Sequence, residues 1–183
     1  ELVNAVPRWF LDRGFTLQMC RTWQLKATKE GQLYIPCFDI NNIEIGFVIR
    51  NPGQVKPKYK YSRDYPKSSY LFGERECQDD KIVYLVEGQL DAIWGNEVGL
   101  PTVALGGNYI NDGQIDILSK FKNLETIVIA LDNDEEGIKA SSKVFERLIK
   151  LGIRLRFFDW DSDVKDFQEY SLENLKTKGK INV

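Results

Sequence analysis

Three acidic words carry the chemistry this chain can offer: "YLVEG" ending at Glu87 and Gly88, "ALDNDEEG" from Ala130 to Gly137, and "DVKDFQEY" from Asp163 to Tyr170. The first two set carboxylates directly behind the apolar runs "IVYLV" and "TIVIA", which read as buried strands. Carboxylates gathered in one place repel one another and raise each other's pKa values unless a cation neutralises them. The sequence contains no histidine, and Cys20, Cys37 and Cys77 are too widely spaced for zinc knuckles or a disulfide framework. Ser-His-Asp and Cys-His catalysis, the HExxH site and His-ligated zinc are therefore excluded, and the cysteines read as small reduced core residues. An oxygen-only donor set favours a hard ion such as Mg2+ over zinc. That points to phosphoryl-transfer chemistry, in which a bound ion polarises phosphate oxygens and activates a hydroxyl.

Some of these acids have a plainer explanation. Asp134, Glu135 and Glu136 at a helix start are favoured by the macrodipole whatever the function, and Asp134 is a natural N-cap. Glu135 and Glu136 need nothing more, whereas Asp134 is open between cap and ligand. Glu87 is harder to explain that way, because it ends a strand without a helix start of its own to serve. Asp166 and Glu169, taken alone, read equally as a cap and a solvated face.

The elements that must position these acids follow from periodicity. From Lys81 onward "KIVYLVE", "PTVALGG", "ETIVIALD" and "RLRFFDW" read as strands. The helical stretches are "GQLDAIWGNEVG", "DGQIDILSKF", "DEEGIKASSKVFERLIKLG" and a last helix from about Asp163. Strands apolar on both faces, alternating with helices, predict an α/β fold with a mostly parallel sheet flanked by helices. Ligands of such sheets bind beyond the carboxyl ends of the strands, where the acidic words fall; Asp91 lies one helical turn beyond Glu87.

Before Lys81 the pattern differs. "NAVPRWFLDRGFTLQMCRTWQ" predicts two short helices, broken at Gly14 and restarted with Thr16 as N-cap. "QLYIPCFDINNIEIGFVIR" predicts a β-hairpin about Asn41-Asn42, and "NPGQVKPKYKYSRDYPKSSYLFG" a loop with a short strand. The stretch "ECQDD", near 76–80, is the candidate linker. It divides a small basic α+β subdomain, 1–78, from an acidic α/β domain, 79–183. Residues 1–75 carry 12 Lys+Arg against 7 Asp+Glu, while residues 76–183 carry 13 against 20, so a net charge of −2 conceals opposite halves. Such asymmetry suits a basic half that holds a polyanion and an acidic half that holds cations. No run is long and apolar enough for a membrane span and no signal segment opens the chain, so the expected location is cytoplasmic. The first residue is Glu1 rather than Met, and a piece of a longer polypeptide is expected.

The words "VEGQLDAI", "VALGG", "ALDNDEEGIKA" and "VKDFQEY", in that order, resemble the Toprim domain of primases, topoisomerases and some nucleases. The prelude resembles the N-terminal subdomain of the RNA polymerase core of DnaG-type and bacteriophage primases: two small helices, a strand pair ending in glycine and arginine, and the basic "PKYKYS" loop. The resemblance implies a DNA primase core that makes short RNA primers from ribonucleoside triphosphates on single-stranded DNA with Mg2+ or Mn2+. It implies Glu87 nearest the chemistry with Asp91 in support, and Glu87, Asp132, Asp134 and Asp166 as metal ligands. Arg50, Lys58 and Lys67, with Lys60 nearby, would contact phosphates. The last motif departs from the acid-proline-acid of DnaG-type cores toward a phage-type KDxxE, so Asp166 and Glu169 compete for the ligand role. A zinc-binding module upstream of Glu1 and a replicative helicase, fused or separate, complete what the resemblance implies. The rival readings are a Toprim nuclease and a non-catalytic DNA-binding module of a helicase.

Overall fold

A computed structural model describes residues 1–3, 5–53 and 55–181, and the chain forms two units, Glu1–Pro66 and Lys67–Val183. The first unit contains β1 (Leu2–Val3), α1 (Arg8–Leu11), α2 (Leu17–Thr22), β2 (Lys26–Thr28), β3 (Leu33–Phe38), β4 (Glu44–Arg50) and β5 (Tyr59–Tyr61). Its strands form one antiparallel sheet in the order β1-β2-β3-β4-β5. Gly14 ends the first helical stretch at a φ of 95°, and Thr16 restarts it by accepting a 3.1 Å hydrogen bond from the Met19 amide. The β3–β4 hairpin turns at Asn42, whose φ is 63°, while the Asp39 carboxylate accepts from the Asn41 and Ile43 amides. Phe10, Met19, Leu33, Ile35 and Val48 are fully buried and form its core.

The second unit contains α3 (Glu74–Cys77), β6 (Ile82–Val86), α4 (Gln89–Glu97), β7 (Thr102–Ala104), α5 (Asp112–Ser119), β8 (Thr126–Ile129), α6 (Glu135–Leu148), β9 (Arg154–Phe157) and α7 (Leu172–Ile181). Short 3-10 turns follow α6 and precede α7. The four strands run parallel in the order β7-β6-β8-β9. Alternate residues of a strand face opposite ways, and the two faces of β6 show it. Val83 and Leu85 pack with Leu118, Ala140, Val144 and Leu148 of α5 and α6. Tyr84 meets Phe158 and Phe167 edge-on, and its hydroxyl donates to the Gly179 carbonyl of α7 at 2.9 Å. The apolar strands are thus covered by helices on both sides, as their composition predicts.

Two expectations are corrected. The boundary falls at 66/67 instead of 78/79, and "ECQDD" is not a linker. Phe72 exchanges backbone hydrogen bonds with Ala104 at 3.1 and 2.9 Å, and Cys77, fully buried, donates its thiol to the Thr102 carbonyl. The segment 67–78 is anchored in the second unit by these contacts. The last helix begins at Leu172 rather than near Asp163, because Asp166 caps only one 3-10 turn and Tyr170 returns to an extended backbone. Among the described residues, no helix is long and apolar enough to cross a membrane.

Candidate active site

The chain runs from β6 to β7 on one side and returns to β8 on the other, so the strand order reverses between β6 and β8. At such a switch point the connecting loops diverge and leave a crevice beyond the strand ends. Glu87 follows the last residue of β6, and Asp132 stands three residues beyond β8. The Glu87 carboxylate accepts from the Asp132 amide at 3.3 Å, so the two acids flank one crevice. The Gly106 amide, from the loop after β7, donates to the Glu87 carbonyl at 2.9 Å and fixes the opposite wall.

Asp134 caps α6 by accepting from the Gly137 amide at 2.9 Å. Gly137 fits there for a steric reason, since a Cβ on it would come within 2.0 Å of the Asp132 carbonyl oxygen. The second Asp134 oxygen faces Lys165, whose ammonium lies 2.7 Å away and also 3.8 Å from Asp132 Oδ2. Asn133, between the two aspartates, ties this loop to the next one: its amide donates to the Lys165 carbonyl at 2.7 Å and its side chain to the Val164 carbonyl at 2.8 Å.

A second acidic group lies beside the first. Asp91, on the first turn of α4 and only 8% exposed, accepts from the Gln168 side chain at 2.9 Å. Asp166 accepts from the Gln168 and Glu169 amides at 3.0 and 3.2 Å. Glu169 turns its carboxylate to the Lys165 amide, 2.7 Å away.

The electrostatics separate these acids. Burial, reinforced by the Asp132, Asp134 and Glu136 charges and opposed by the Asp132 amide, pushes Glu87 up to about 7. Burial and then the Asp166 charge raise Asp91, against the hydrogen bond from Gln168. Asp134 moves the other way, held below the usual carboxylate range by Lys165 and by the Gly137 amide. Among the described residues no three acidic or cysteine side chains converge closely enough to enclose an ion by themselves. A magnesium ion does not need that, because it keeps several waters and takes one or two carboxylates plus substrate phosphates. In this structure the Lys165 ammonium stands against the pair.

The structure therefore brings together Glu87, Asp132 and Asp134, and separately Asp91 and Asp166 through Gln168. Of the basic residues, Arg50, Lys58 and Lys60 belong to the first unit and Lys67 to the second. Lys58, Lys60 and Lys67 are exposed. Arg50 is only 3% exposed; its guanidinium donates to the Tyr59 hydroxyl and the Asn51 carbonyl and packs over the Trp9 and Tyr59 rings. Sequence reasoning gave no role to Asn133, Gln168 or Asn108, whose side chain donates to Glu136 at 2.6 Å. The middle position of the DxD pair was the available signal for Asn133; Gln168 and Asn108 offered none.

A four-stranded parallel sheet with a glutamate behind β6 and a DxD loop behind β8 defines a Toprim domain. The Toprim-like family model matches residues 84–171. The chain is 35% identical over 153 residues to the DNA primase of Mycoplasma genitalium, covering 80% of this chain and 25% of that protein. It is 30% identical over 174 residues to a Mycoplasma pneumoniae protein called the uncharacterized MG010 homolog, covering 90% of this chain and 81% of the relative. A DnaG primase catalytic domain bound to ssDNA superposes with a TM-score of 0.79 at 18% identity, over 95% of this chain and 70% of the other. The chain belongs to the Toprim-domain DNA primase family. It spans about a quarter of the length of the primase it matches in Mycoplasma genitalium.

Proposed function

We propose that the chain is the catalytic core of a DNA primase, joining ribonucleotides into short RNA primers on a single-stranded DNA template during DNA replication. The observation that carries this reading is the Glu87 carboxylate against the Asp132 amide at the switch point, with Asp134 two residues further along the same loop. Asp132 and Asp134 would hold Mg2+ or Mn2+, in keeping with the general dependence of Toprim primases on divalent metal, and Asp166 rather than Glu169 would complete the set. Both acids accept backbone amides, Glu169 from Lys165 and Asp166 from Gln168 and Glu169, but Asp166 lies next to Asp91. A divalent ion bound there supplies polarisation of phosphate oxygens and a more acidic 3′-hydroxyl.

The protein groups do the rest. Glu87, pushed up to about 7, is matched to accept a proton from the 3′-hydroxyl near neutral pH. Asp91 acts in support, holding the Gln168 side chain and with it the turn that carries Asp166. Lys58, Lys60 and Lys67 offer exposed cations to phosphates, contacts that give affinity without sequence information. Arg50 is engaged by Tyr59, Trp9 and the Asn51 carbonyl, so its part is to hold the β4–β5 surface that carries Lys58 and Lys60. Start-site selection falls to a zinc-binding module elsewhere in the longer protein, with a replicative helicase, fused or separate, as partner.

The reading is tested with the longest native chain, single-stranded DNA, labelled ribonucleotides and Mg2+ or Mn2+, alongside Glu87→Gln and Asp132→Asn variants. Oligoribonucleotides made by the native chain and lost in both variants are the expected result. A shortened template identifies a Toprim nuclease instead, in which water replaces the 3′-hydroxyl. DNA binding with no chemistry identifies a non-catalytic helicase module.

A further inference from the structure

Lys165 holds the position a metal would need. Its ammonium lies 2.7 Å from Asp134 and 3.8 Å from Asp132, with half of its side chain open to solvent. An exposed lysine normally forms weak, shifting ion pairs, because holding a long side chain in one geometry costs entropy. Here the backbone on which it stands is fastened three times. Asn133 donates to the carbonyls of both Lys165 and Val164, and the Lys165 amide donates to Glu169. The loop bearing the lysine is thereby stapled to the loop bearing both aspartates, and the ammonium is delivered to the same two carboxylates. Two aspartates on one short loop repel each other unless a cation stands between them, and an ammonium and a hydrated divalent ion are alternative solutions to that repulsion.

We propose that Lys165 is a built-in counterion of the Asp132–Asp134 pair, and that a divalent ion binds there only by displacing it. The inference rests on the reading of those aspartates as metal ligands. It gives the lysine of the KDxxE word a task of its own. The metal-free loop stays partly neutralised and ordered, and cation affinity is set below what the two acids alone would give. A divalent ion held by phosphate oxygens as well has more donors than the lysine can match, so metal arriving with nucleotide is favoured over metal alone.

Mn2+ binding to the full chain, read from the paramagnetic signal of the free ion, and melting temperature with and without Mn2+ provide the test. Lys165→Met is expected to bind Mn2+ about threefold tighter than the native chain, the scale of an exposed ion pair. It is also expected to melt lower without metal and to gain more on metal addition. Lys165→Arg, which keeps the charge, is expected to bind no tighter than the native chain. Lys139→Met is the control for general electrostatics, since Lys139 pairs with Glu135 at 2.5 Å in the same acidic stretch. Lys165→Met binding no tighter than the native chain, or Lys139→Met matching its gain, overturns the proposal. Asp132→Asn and Asp134→Asn separate this failure from a deeper one. If they lose Mn2+ while Lys165→Met shows no gain, the counterion role alone falls. If they bind Mn2+ like the native chain, the metal-ligand reading falls with it.

Discussion

Two acidic groups stand side by side beyond the carboxyl ends of the parallel strands, and they are built in opposite ways. Asp132 and Asp134 lie on a loop, partly open to water, with a lysine against them. Asp91 lies on a helix, buried, and meets its neighbour Asp166 through an uncharged amide, Gln168. In the first arrangement the Lys165 contact, with the Gly137 amide, holds Asp134 below the usual carboxylate range. The second raises Asp91, because burial penalises the charge and Asp166 repels it. Open acids with a replaceable cation can exchange ions, whereas a buried acid bridged by an amide can only hold its neighbours in place. Glu87 stands between the two regimes: half-buried, pushed up to about 7, and hydrogen-bonded to the loop of the first group.

The contrast is open to attack at several points. Glu87→Gln keeps the shape and removes the proton acceptor, so nucleotide joining should fall by about 10²- to 10⁴-fold, with DNA affinity unchanged. An equal loss of DNA affinity would show that Glu87 serves binding instead. Gln168→Leu removes the bridge of the second group, and a loss of about 10- to 100-fold in metal affinity or activity is expected, as for partners that orient ligands. Calorimetric titration with Mn2+ would register it, and an unchanged value would deny the second group its positioning role.

Stability against pH distinguishes the groups without any substrate. Glu87 and Asp91 have folded pKa values above the ordinary carboxylate range, so the folded chain holds more protons than the unfolded chain between about pH 4 and about pH 7. Their contribution is most favourable below about pH 4, is lost as pH rises to about 7, and is level above that. Metal-free denaturation curves across this window should show the decline. Asp91→Asn keeps an acceptor for Gln168, so it should flatten the decline and raise the melting temperature by a few degrees at pH 8, more than Glu87→Gln does. The smallest effect is expected at the exposed cations. Removing charge at Lys58, Lys60 or Lys67 should lower the slope of log affinity for single-stranded DNA against log salt by about one unit each, at most. A slope that survives removal of all three would dismiss them as the phosphate surface.

Much of this was legible in the residues because it rests on local chemistry. Apolar strands such as "IVYLV" and "TIVIA" can only be buried on both faces, and an acid directly behind one of them stands at a strand end, so Glu87 and Asp132 were visible. Thr16 and Asn42 announced their cap and turn by type. What escaped depends on contacts between distant segments. "ECQDD" has the polarity of a linker, yet a single buried residue, Cys77, anchors it, and average composition conceals one anchor among four polar neighbours. The late start of α7 turns on Asp166 spending its carboxylate on a 3-10 turn. Arg50 could be recognised as a cation but not as one enclosed by Trp9 and Tyr59, because Trp9 lies about forty residues away in the chain. Gln168 carries no signal of its own; its importance comes from Asp91, 77 positions earlier.

The middle letter of the DxD word deserves a different reading from its neighbours. Asn133 touches no candidate ion, yet its amide and side chain both grip the strand of backbone that ends in Lys165. Two hydrogen bonds from one residue thus tie the two loops together, so a displacement of one strains the other. A chain that kept both aspartates but exchanged the residue between them would retain every charge at the crevice and lose the linkage that makes those charges move in step.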